Sequence, residues 1–294
     1  MAVNDELGKR MKEFYEQVPK TRLIRRTPVA IRVDGKAFHS FTRGFQKPFD
    51  EVLVKSMQDT MKYLCENVQG CVLGYTQSDE ITLILVDYKK LTSSAFFDYE
   101  VQKICSVVAS MATLEFNRKF EHYSFEWWSE KHSDPNFDEK YGSVYKAYLK
   151  SKDIGAMFDA RCFNIPKEEV CNLIYWRQLD ATRNSIQMVG QANFSHKELQ
   201  NKSCNQIQDM LMLERGINWN DLPTYQKRGS CCIKSEVTAT FANEDNEGNV
   251  VTGAIERPHW FIDNNIPIFR GEDREYIDKL IRFDDGCPCK IFIN

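Results

Sequence analysis

The sequence has no long apolar run, no low-complexity segment and no internal repeat. Its longest apolar stretch, residues 81–86, is far shorter than the about 20 residues that a membrane-spanning helix needs. The first ten residues lack the apolar core of a secretory signal. We therefore expect a cytoplasmic protein with no membrane contact.

The ten cysteines have no repeated spacing, and without an export signal they are expected to be reduced core residues. Cys231-Cys232 and Cys287-Pro-Cys289 could supply metal ligands, but no second pair of cysteines or histidines accompanies them. The sequence therefore favours structural cysteines over a zinc site.

An excess of positive charge is also missing. Lys and Arg total 39 against 42 Asp and Glu, so the net charge is −3. Taken alone, this balance argues against a nucleic-acid enzyme, because such proteins usually present a basic surface. RNA binding would then need local patches of Lys and Arg side chains. For each such side chain the alternative is a solvated surface group that contacts no RNA. The candidates are Lys20, Arg22, Arg25, Arg26, Arg183, Lys227 and Arg228.

The spacing of apolar residues predicts strands over 28–33, 71–75, 81–86 and 158–165. Helical spacing follows Pro48 and begins again at Phe96. The order strand, helix, strand, strand, helix, strand is that of the ferredoxin-type βαββαβ unit, so we expect an α+β fold.

The rest of the chain is expected to surround this unit. Residues 5–20 have the pattern of a peripheral helix, and residues 122–155 are aromatic, charged and poor in aliphatics, which indicates a surface insertion. A long helix should run from Pro166 to about Gln191, with capping boxes at Ser195 and Ser203 starting two more. Short strands and a terminal helix should follow Gly229. We thus expect a catalytic core over 1–165 and a helical region over 166–294 packed on it.

Three carboxylates should meet at one edge of the sheet. In a βαββαβ unit the first two strands are parallel with the third between them, so the end of strand one lies beside the turn between strands two and three. Asp34 is at the first place, and Asp79 and Glu80 are at the second. Such a cluster is unfavourable unless it is protonated or binds cations, and two Mg²⁺ ions could clamp a phosphoryl transfer there. The alternative is an ordinary Asp-Gly turn and a solvated hairpin tip.

Six motifs, spread in order over residues 28–235, resemble the tRNA-histidine guanylyltransferase family of 3′-to-5′ polymerases. They are Arg32-Val-Asp-Gly-Lys-Ala-Phe-His39, Gly44-Phe-Gln-Lys-Pro-Phe-Asp50, Tyr75-Thr-Gln-Ser-Asp-Glu80, Phe158-Asp-Ala-Arg161, Tyr175-Trp-Arg-Gln178 and Tyr225-Gln-Lys-Arg-Gly229. The resemblance implies a palm-like catalytic domain and a homotetramer.

The resemblance also implies the roles of individual residues. Two Mg²⁺ ions would be held by Asp34, the Gly35 carbonyl and Asp79, with Glu80 completing the catalytic carboxylates. GTP or another nucleoside triphosphate, and ATP, would be the small substrates. The nucleotide-binding residues would be Asp34, Gly35, Lys36, Ala37, Phe38, His39, Lys47, Asp50, Ser78, Asp79 and Lys103.

One departure concerns the substrate. Eukaryotic members follow Trp-Arg-Gln with His-Ile-Asn-Asn-Leu-Tyr-Asn, whereas this chain reads Leu179-Asp-Ala-Thr-Arg-Asn-Ser-Ile-Gln187 and keeps only Asn184 of that stretch. This resembles the bacterial-type branch, which implies repair of tRNA 5′ ends by nucleotide addition after ATP or GTP activates a 5′-monophosphate.

Two alternatives use the same fold. A palm-type nucleotide cyclase would close a 3′-hydroxyl onto its own α-phosphate, and a non-catalytic RNA-binding module would have kept only the fold. The long helical region argues against the cyclase, and the intact carboxylates argue against the module.

Overall fold

The computed structural model describes residues 6–244 and 250–283, and for 236–244 and 250–257 it describes the backbone alone. The strands are β1 (Val29–Gly35), β2 (Cys71–Gln77), β3 (Glu80–Leu85), β4 (Phe158–Asn164), β5 (Ser230–Glu244) and β6 (Val250–Asp263). The helices are α1 (Glu6–Met11), α2 (Phe38–Phe41), α3 (Glu51–Asn67), α4 (Val101–Lys131), α5 (Phe137–Lys140), α6 (Gly142–Ile154), α7 (Lys167–Asn193), α8 (His196–Leu199), α9 (Cys204–Arg215), α10 (Thr224–Arg228) and α11 (Glu275–Ile281). No helix in these described ranges is long and apolar enough to cross a membrane.

One antiparallel sheet organises the molecule, with its strands in the order β4-β1-β3-β2-β5-β6. Its first four strands have the order of a ferredoxin-type unit, which confirms the predicted α+β fold. β5 extends the sheet by pairing Ile233 with Leu73 and Ser230 with Thr76 of β2.

The prediction of short strands after Gly229 is wrong, because β5 and β6 are 15 and 14 residues long. No glycine or proline interrupts residues 230–244, so nothing in that sequence ends the strand early.

Helices cover both faces of the sheet because the strands alternate their side chains between two apolar cores. On β1, Ile31 and Val33 join the core beneath α3 and α4. Ala30 points the other way, into a second core that contains Ile174 of α7 and Ile281 of α11. A third, smaller core lies between α7 and α9.

Residues 122–155 are not an irregular surface insertion. α4 continues to Lys131 and α6 follows, and both Trp127 and Tyr148 are buried in the core beneath α3 and α4. Their rings pack edge to face with centroids 5.2 Å apart, so aromatic side chains take the place of aliphatic ones. Trp128 stacks on His132 of the same helical end, with ring centroids 4.4 Å apart. The division of the chain at residue 165 stays a prediction.

Other local expectations agree with the structure. α7 spans the predicted long helix, and both capping boxes form, with Ser195 paired to Glu198 and Ser203 paired to Gln206. Eight cysteines lie in the described residues as free thiols, and five of these are buried. Cys287 and Cys289 lie outside the described residues.

The buried carboxylate of Asp50 gives a test of this core. It caps α3 by accepting hydrogen bonds from the Leu53 and Gln46 amides, and the Tyr148 hydroxyl donates a third over 2.7 Å. Tyr148→Phe should lower the free energy of unfolding by about 2 kcal/mol, because a buried carboxylate loses a donor.

Urea unfolding measures this change. Tyr145→Phe is the matched control, since the Tyr145 hydroxyl has no hydrogen-bond partner in the described part of the chain, and its effect should stay under about 0.5 kcal/mol. Equal effects of the two substitutions would contradict the assigned role of Tyr148.

Candidate active site

Backbone pairing brings the three predicted carboxylates to one edge of the sheet. Asp34, near the end of β1, is the direct cross-strand partner of Glu80 on β3 and of Asp159 on β4. The Gly35 amide donates a hydrogen bond of 3.1 Å to the carbonyl of Asp79. The register of β1 against β3 therefore places Asp34 beside the turn that carries Asp79.

The turn between β2 and β3 is a tight two-residue loop. Gln77 pairs with Glu80, which leaves Ser78 and Asp79 to reverse the chain. Ser78 has a φ of +50°, and Ala37, three residues after Asp34, has a φ of +55°. Left-handed backbone at residues other than glycine is costly and is often found where a loop is shaped for a ligand.

Gly35 leaves room for the Phe38 side chain. A Cβ at this position would lie 2.3 Å from the Phe38 ring, so a larger residue would clash with it. Phe38 itself is buried against Phe41 and Phe158, so its side chain cannot reach a nucleotide. The exposed side chains of the loop are those of Lys36, Ala37 and His39.

The two aspartates are electrostatically strained. Burial raises the pKa of the Asp34 carboxyl, and the charges of Glu80 and Asp159 raise it further. Burial also raises the pKa of Asp79 despite a hydrogen bond from Ser78, and the charge of Asp34 adds to the effect. Arg161, with its Nη2 atom 3.7 Å from Asp34, offsets only part of this repulsion. Both carboxylates would be stabilised by an added cation.

Glu80 is held differently from the two aspartates. Its Oε1 accepts a hydrogen bond of 3.1 Å from Arg32, and its Oε2 lies 2.6 Å from Nη2 of Arg177. Gln77 donates a further bond of 3.3 Å to Oε2. Two ion pairs therefore occupy the Glu80 side chain, which separates it from the expected set of three cation-binding carboxylates.

Arg32 and Arg177 also lie near the ring of Trp176 on α7, whose side chain is half-exposed. The guanidinium carbons of Arg32 and Arg177 lie 5.4 and 4.5 Å from the centroid of its ring. Arg177 also bonds Asp180 at 2.8 Å. Sequence reasoning gave no role to Arg32, Arg161 or Arg177. The available signal was strand alternation, because Arg32 lies two residues before Asp34 and so shares its face of the sheet.

Two carboxylates of the site, those of Asp34 and Asp79, fit a divalent cation. Among the described residues, no group of three or more His, Cys, Asp or Glu side chains is arranged to hold a metal. Mg²⁺ typically binds one or two protein carboxylates and completes its shell with water and phosphate oxygens. Asp34 and Asp79, whose charges lack compensation, meet this requirement.

Three other predicted nucleotide residues are placed in different ways. Lys47 is exposed just before α3. Asp50 is buried, and its oxygens are occupied by the contacts that cap α3. Lys103 is near the start of α4, two residues before Cys105, whose Sγ lies 3.7 Å from that of Cys162. Cys162 pairs with Ile31, which is three residues before Asp34. The part of α4 that packs there, close to Lys103, is therefore about 10 Å along the sheet from the Asp34 edge.

A small cavity opens beside Ser78, between α3, α7 and α10. Its walls include Gln77 and Ser78 from the turn, and the remaining side chains come from the three helices and their ends. The other lining residues are Phe49, Asp50, Leu53, Val54, Ala181, Asn184, Ser185, Met188, Tyr225, Gln226 and Gly229. This cavity, of about 80 Å³, adjoins the turn that carries Asp79.

The basic residues near the N-terminus hold the fold together. Arg22 pairs with Asp98 at 2.8 Å, Arg25 pairs with Asp87 at 2.7 Å, and Arg26 donates to the carbonyl oxygens of Asp87, Lys90 and Leu91. Lys20 lies 3.8 Å from Glu100. These contacts tie the segment to its neighbours while Arg22 and Arg25 stay about half exposed, and the RNA-binding surface at 20–26 stays a prediction.

The later basic candidates divide into two kinds. Lys227 is buried and donates to the carbonyl of Asn220, which gives it a structural role. Arg183 is exposed and pairs with Asp180 one turn earlier on α7. Arg228 is half-buried, and its side chain has no partner in the described residues. Arg183 and Arg228 remain as predicted RNA contacts.

A ferredoxin-type sheet with two strained aspartates at one edge defines a palm-type catalytic domain. The family model of tRNAHis guanylyltransferase matches residues 8–166, more than half of the chain. This chain therefore belongs to the tRNAHis guanylyltransferase family and is an enzyme, as its motifs predicted.

Individual comparisons agree. A bacterial tRNA(His) guanylyltransferase (Thg1)-like protein solved in complex with ATP is 39% identical, with a TM-score of 0.71 over 94% of this chain and 99% of that one. A structure of such a protein in complex with GTP is 36% identical, with a TM-score of 0.69 over the same shares. A probable tRNA(His) guanylyltransferase from Dictyostelium discoideum is 26% identical over 74% of this chain and 79% of its own.

The ion pairs of Glu80 can be tested by a double-mutant cycle. Arg177→Met and Glu80→Gln should each lower the free energy of unfolding by about 3 kcal/mol, because each leaves a poorly solvated partner. Together they should cost about 1–3 kcal/mol less than their sum, since they remove one shared interaction. Urea unfolding of the four proteins gives the coupling.

The exposed pair Lys152 and Glu121, 2.6 Å apart, is the matched control. Lys152→Met and Glu121→Gln should couple by less than about 1 kcal/mol, because water screens the pair. If the Glu80 and Arg177 substitutions change the free energy of unfolding additively, the two side chains are not coupled. That result would contradict the assigned ion pair.

Proposed function

We propose that this enzyme adds nucleotides to the 5′ end of tRNA by Mg²⁺-dependent 3′-to-5′ nucleotidyl transfer. The observation that carries the proposal is the pair of under-compensated carboxylates, Asp34 and Asp79, at the palm edge. Family membership supplies the reaction class. The related bacterial structures with ATP and GTP support nucleoside triphosphates as substrates.

The proposed step joins an incoming nucleotide to the RNA through the nucleotide's 3′ oxygen. That oxygen forms a bond to the α-phosphorus at the 5′ end of the RNA, and the bond from this phosphorus to pyrophosphate, AMP or GMP breaks. The hydroxyl proton passes to water. A 5′-triphosphate end reacts directly. An oxygen of a 5′-monophosphate first forms a bond to the α-phosphorus of ATP or GTP as pyrophosphate leaves, so that AMP or GMP is the leaving group of the transfer step.

The chain's own residues would orient the reactants. Lys36 and His39 are exposed on the loop after β1 and would face the triphosphate together with Ser78. Asp34 and Asp79 would hold Mg²⁺, with the Gly35 carbonyl as a further ligand. When bound, that ion lowers the pKa of a hydroxyl and neutralises charge on the leaving group. Positioning and charge stabilisation of this kind supply most of the catalysis in phosphoryl transfer.

Glu80 has a different proposed role from the two aspartates. Because Arg32 and Arg177 occupy its oxygens, it contributes to the edge by fixing these two arginines, whose guanidinium groups lie near the Trp176 ring. It would act as a positioning residue without binding the ion.

The finer features of the substrate follow from the same proposal. Since the chain keeps only Asn184 of the eukaryotic stretch after Trp-Arg-Gln and resembles the bacterial-type branch, we propose that it accepts 5′-truncated tRNAs more generally. A homotetramer, expected from the resemblance, and a cytoplasmic location, expected from the apolar pattern of the sequence, remain predictions. The cyclase alternative would give a cyclic product from labelled nucleoside triphosphate in the absence of RNA.

Asp34→Asn and Asp79→Asn should each lower the rate of nucleotide addition by at least about a hundredfold, because each removes a charge that the transition state requires. The measurement is extension of a 5′-truncated tRNA with labelled nucleotide, mapped at its 5′ end. Asp209→Asn on α9, an exposed carboxylate that shares the change in charge, should leave the rate within about twofold. Near-normal addition by either catalytic variant would refute the assignment.

A further inference from the structure

A second pocket lies on the side of α7 away from Arg32. It is a cavity of about 240 Å³ between α7, α10 and the segment before Arg270. Its walls include Tyr175 and Gln178 from one family motif and Arg228 from another, and no acidic side chain lines it. None of its residues has a role in the reaction described above, except that Arg228 is a predicted RNA contact.

Hydrogen bonds fix the walls of this pocket. The Gln178 amide donates to the carbonyl of Pro267 over 2.7 Å and accepts from the Phe269 amide over 3.1 Å. These two bonds tie α7 to the segment that carries Arg270. Opposite them, the Trp219 indole donates to the Ser185 hydroxyl over 3.0 Å, and the Lys227 ammonium lies 5.8 Å from the Trp219 ring centroid. The pocket is therefore a formed cavity with an ordered aromatic wall.

Two guanidinium groups at this pocket lack partners. Arg228 is half-buried and Arg270 is exposed, and neither side chain has an acceptor within the ranges that the structure describes. This sets them apart from Arg25, Arg32 and Arg177, each of which is paired with a carboxylate. Two guanidinium groups without a carboxylate partner among the described residues give this cavity a positive lining, which favours an anion as its ligand.

The chemistry of the lining selects the class of anion. Guanidinium groups bind phosphate oxygens through paired N–H donors, and Tyr175 and Trp219 add the aromatic surfaces on which nucleobases pack. The cavity is smaller than the 300–1,000 Å³ typical of whole-ligand pockets, which suits a phosphate with part of one nucleotide. We propose that this pocket binds a nucleotide phosphate, supplied by an RNA chain or by a free nucleotide.

The pocket is close to the catalytic edge but separate from it. The Tyr75 hydroxyl donates to the carbonyl of Arg228 over 2.6 Å, and Ser230 pairs with Thr76. Asp79 follows Thr76 by three residues and lies in the turn that ends this strand. RNA held here would lie near its reacting end, and this choice of source rests on the proposed function.

The test measures binding separately from turnover. Arg270→Ala and Arg228→Ala would be compared with wild type for the affinity of a fluorescent 5′-truncated tRNA and of fluorescent GTP and ATP. Arg118→Ala is the matched control, since Arg118 is an exposed arginine on α4, across the sheet, with only a 4.0 Å contact to Glu115. Because the Arg228 and Arg270 side chains have no partner among the residues that the structure describes, both variants should unfold at the wild-type urea concentration.

Each pocket variant should weaken tRNA binding about five- to tenfold and lower the slope of log affinity against log salt by about one. Arg118→Ala should bind tRNA within about twofold of wild type and add nucleotides at the wild-type rate. Weaker binding of GTP or ATP, with tRNA binding unchanged, would support the same site with free nucleotide as its ligand.

Wild-type affinity for tRNA, GTP and ATP in both pocket variants would overturn the proposal. A different result would contradict the proposed function, namely a wild-type enzyme that adds no nucleotide to any tRNA. In that case the binding data would still show whether the pocket binds a nucleotide phosphate.

Discussion

The register between β1 and its two neighbouring strands is the constraint on which the site depends. Pairing Asp34 with Glu80 on one side and Asp159 on the other sets four acidic groups, Asp79 included, around one edge. A slip of one residue would turn Asp34 toward the core beneath α3 and α4. Ile31 and Val33 must stay buried for the Asp34 side chain to lie on the other face of β1. The alternation of apolar residues along β1 therefore determines the position of Asp34 as well as the packing of the strand.

Charge compensation then divides the acidic groups into two kinds. Arg32 and Arg177 neutralise Glu80, and Arg161 bonds Asp159 at 2.9 Å, whereas Asp34 and Asp79 keep raised pKa values. The arginines thus determine which carboxylates are left for a cation. The same reasoning applies outside the edge, where paired arginines at residues 22–26 stabilise the fold and the unpaired Arg228 and Arg270 mark a surface for an external anion.

Much of this arrangement could be predicted from the sequence, because short-range patterns decide it. The βαββαβ order follows from apolar spacing, and the meeting of Asp34 with the Asp79 turn follows from that topology. The burial of Trp127 and Tyr148 was missed because aromatic residues built a core in a segment with few aliphatics. The roles of Arg25 and Arg177 were missed because their partners, Asp87 and Glu80, are 62 and 97 residues away and meet them only in the folded chain.

The central claim is that Asp34 and Asp79 bind the catalytic cation while Glu80 stays with its arginines. A crystal structure with Mn²⁺ and a non-hydrolysable GTP analogue tests it most directly, because Mn²⁺ gives an anomalous signal that locates the ion. We predict an ion at about 2.0–2.2 Å from oxygens of Asp34 and Asp79, with Arg32 and Arg177 still bonded to Glu80. An ion coordinated by Glu80, with those arginine contacts broken, would contradict the account.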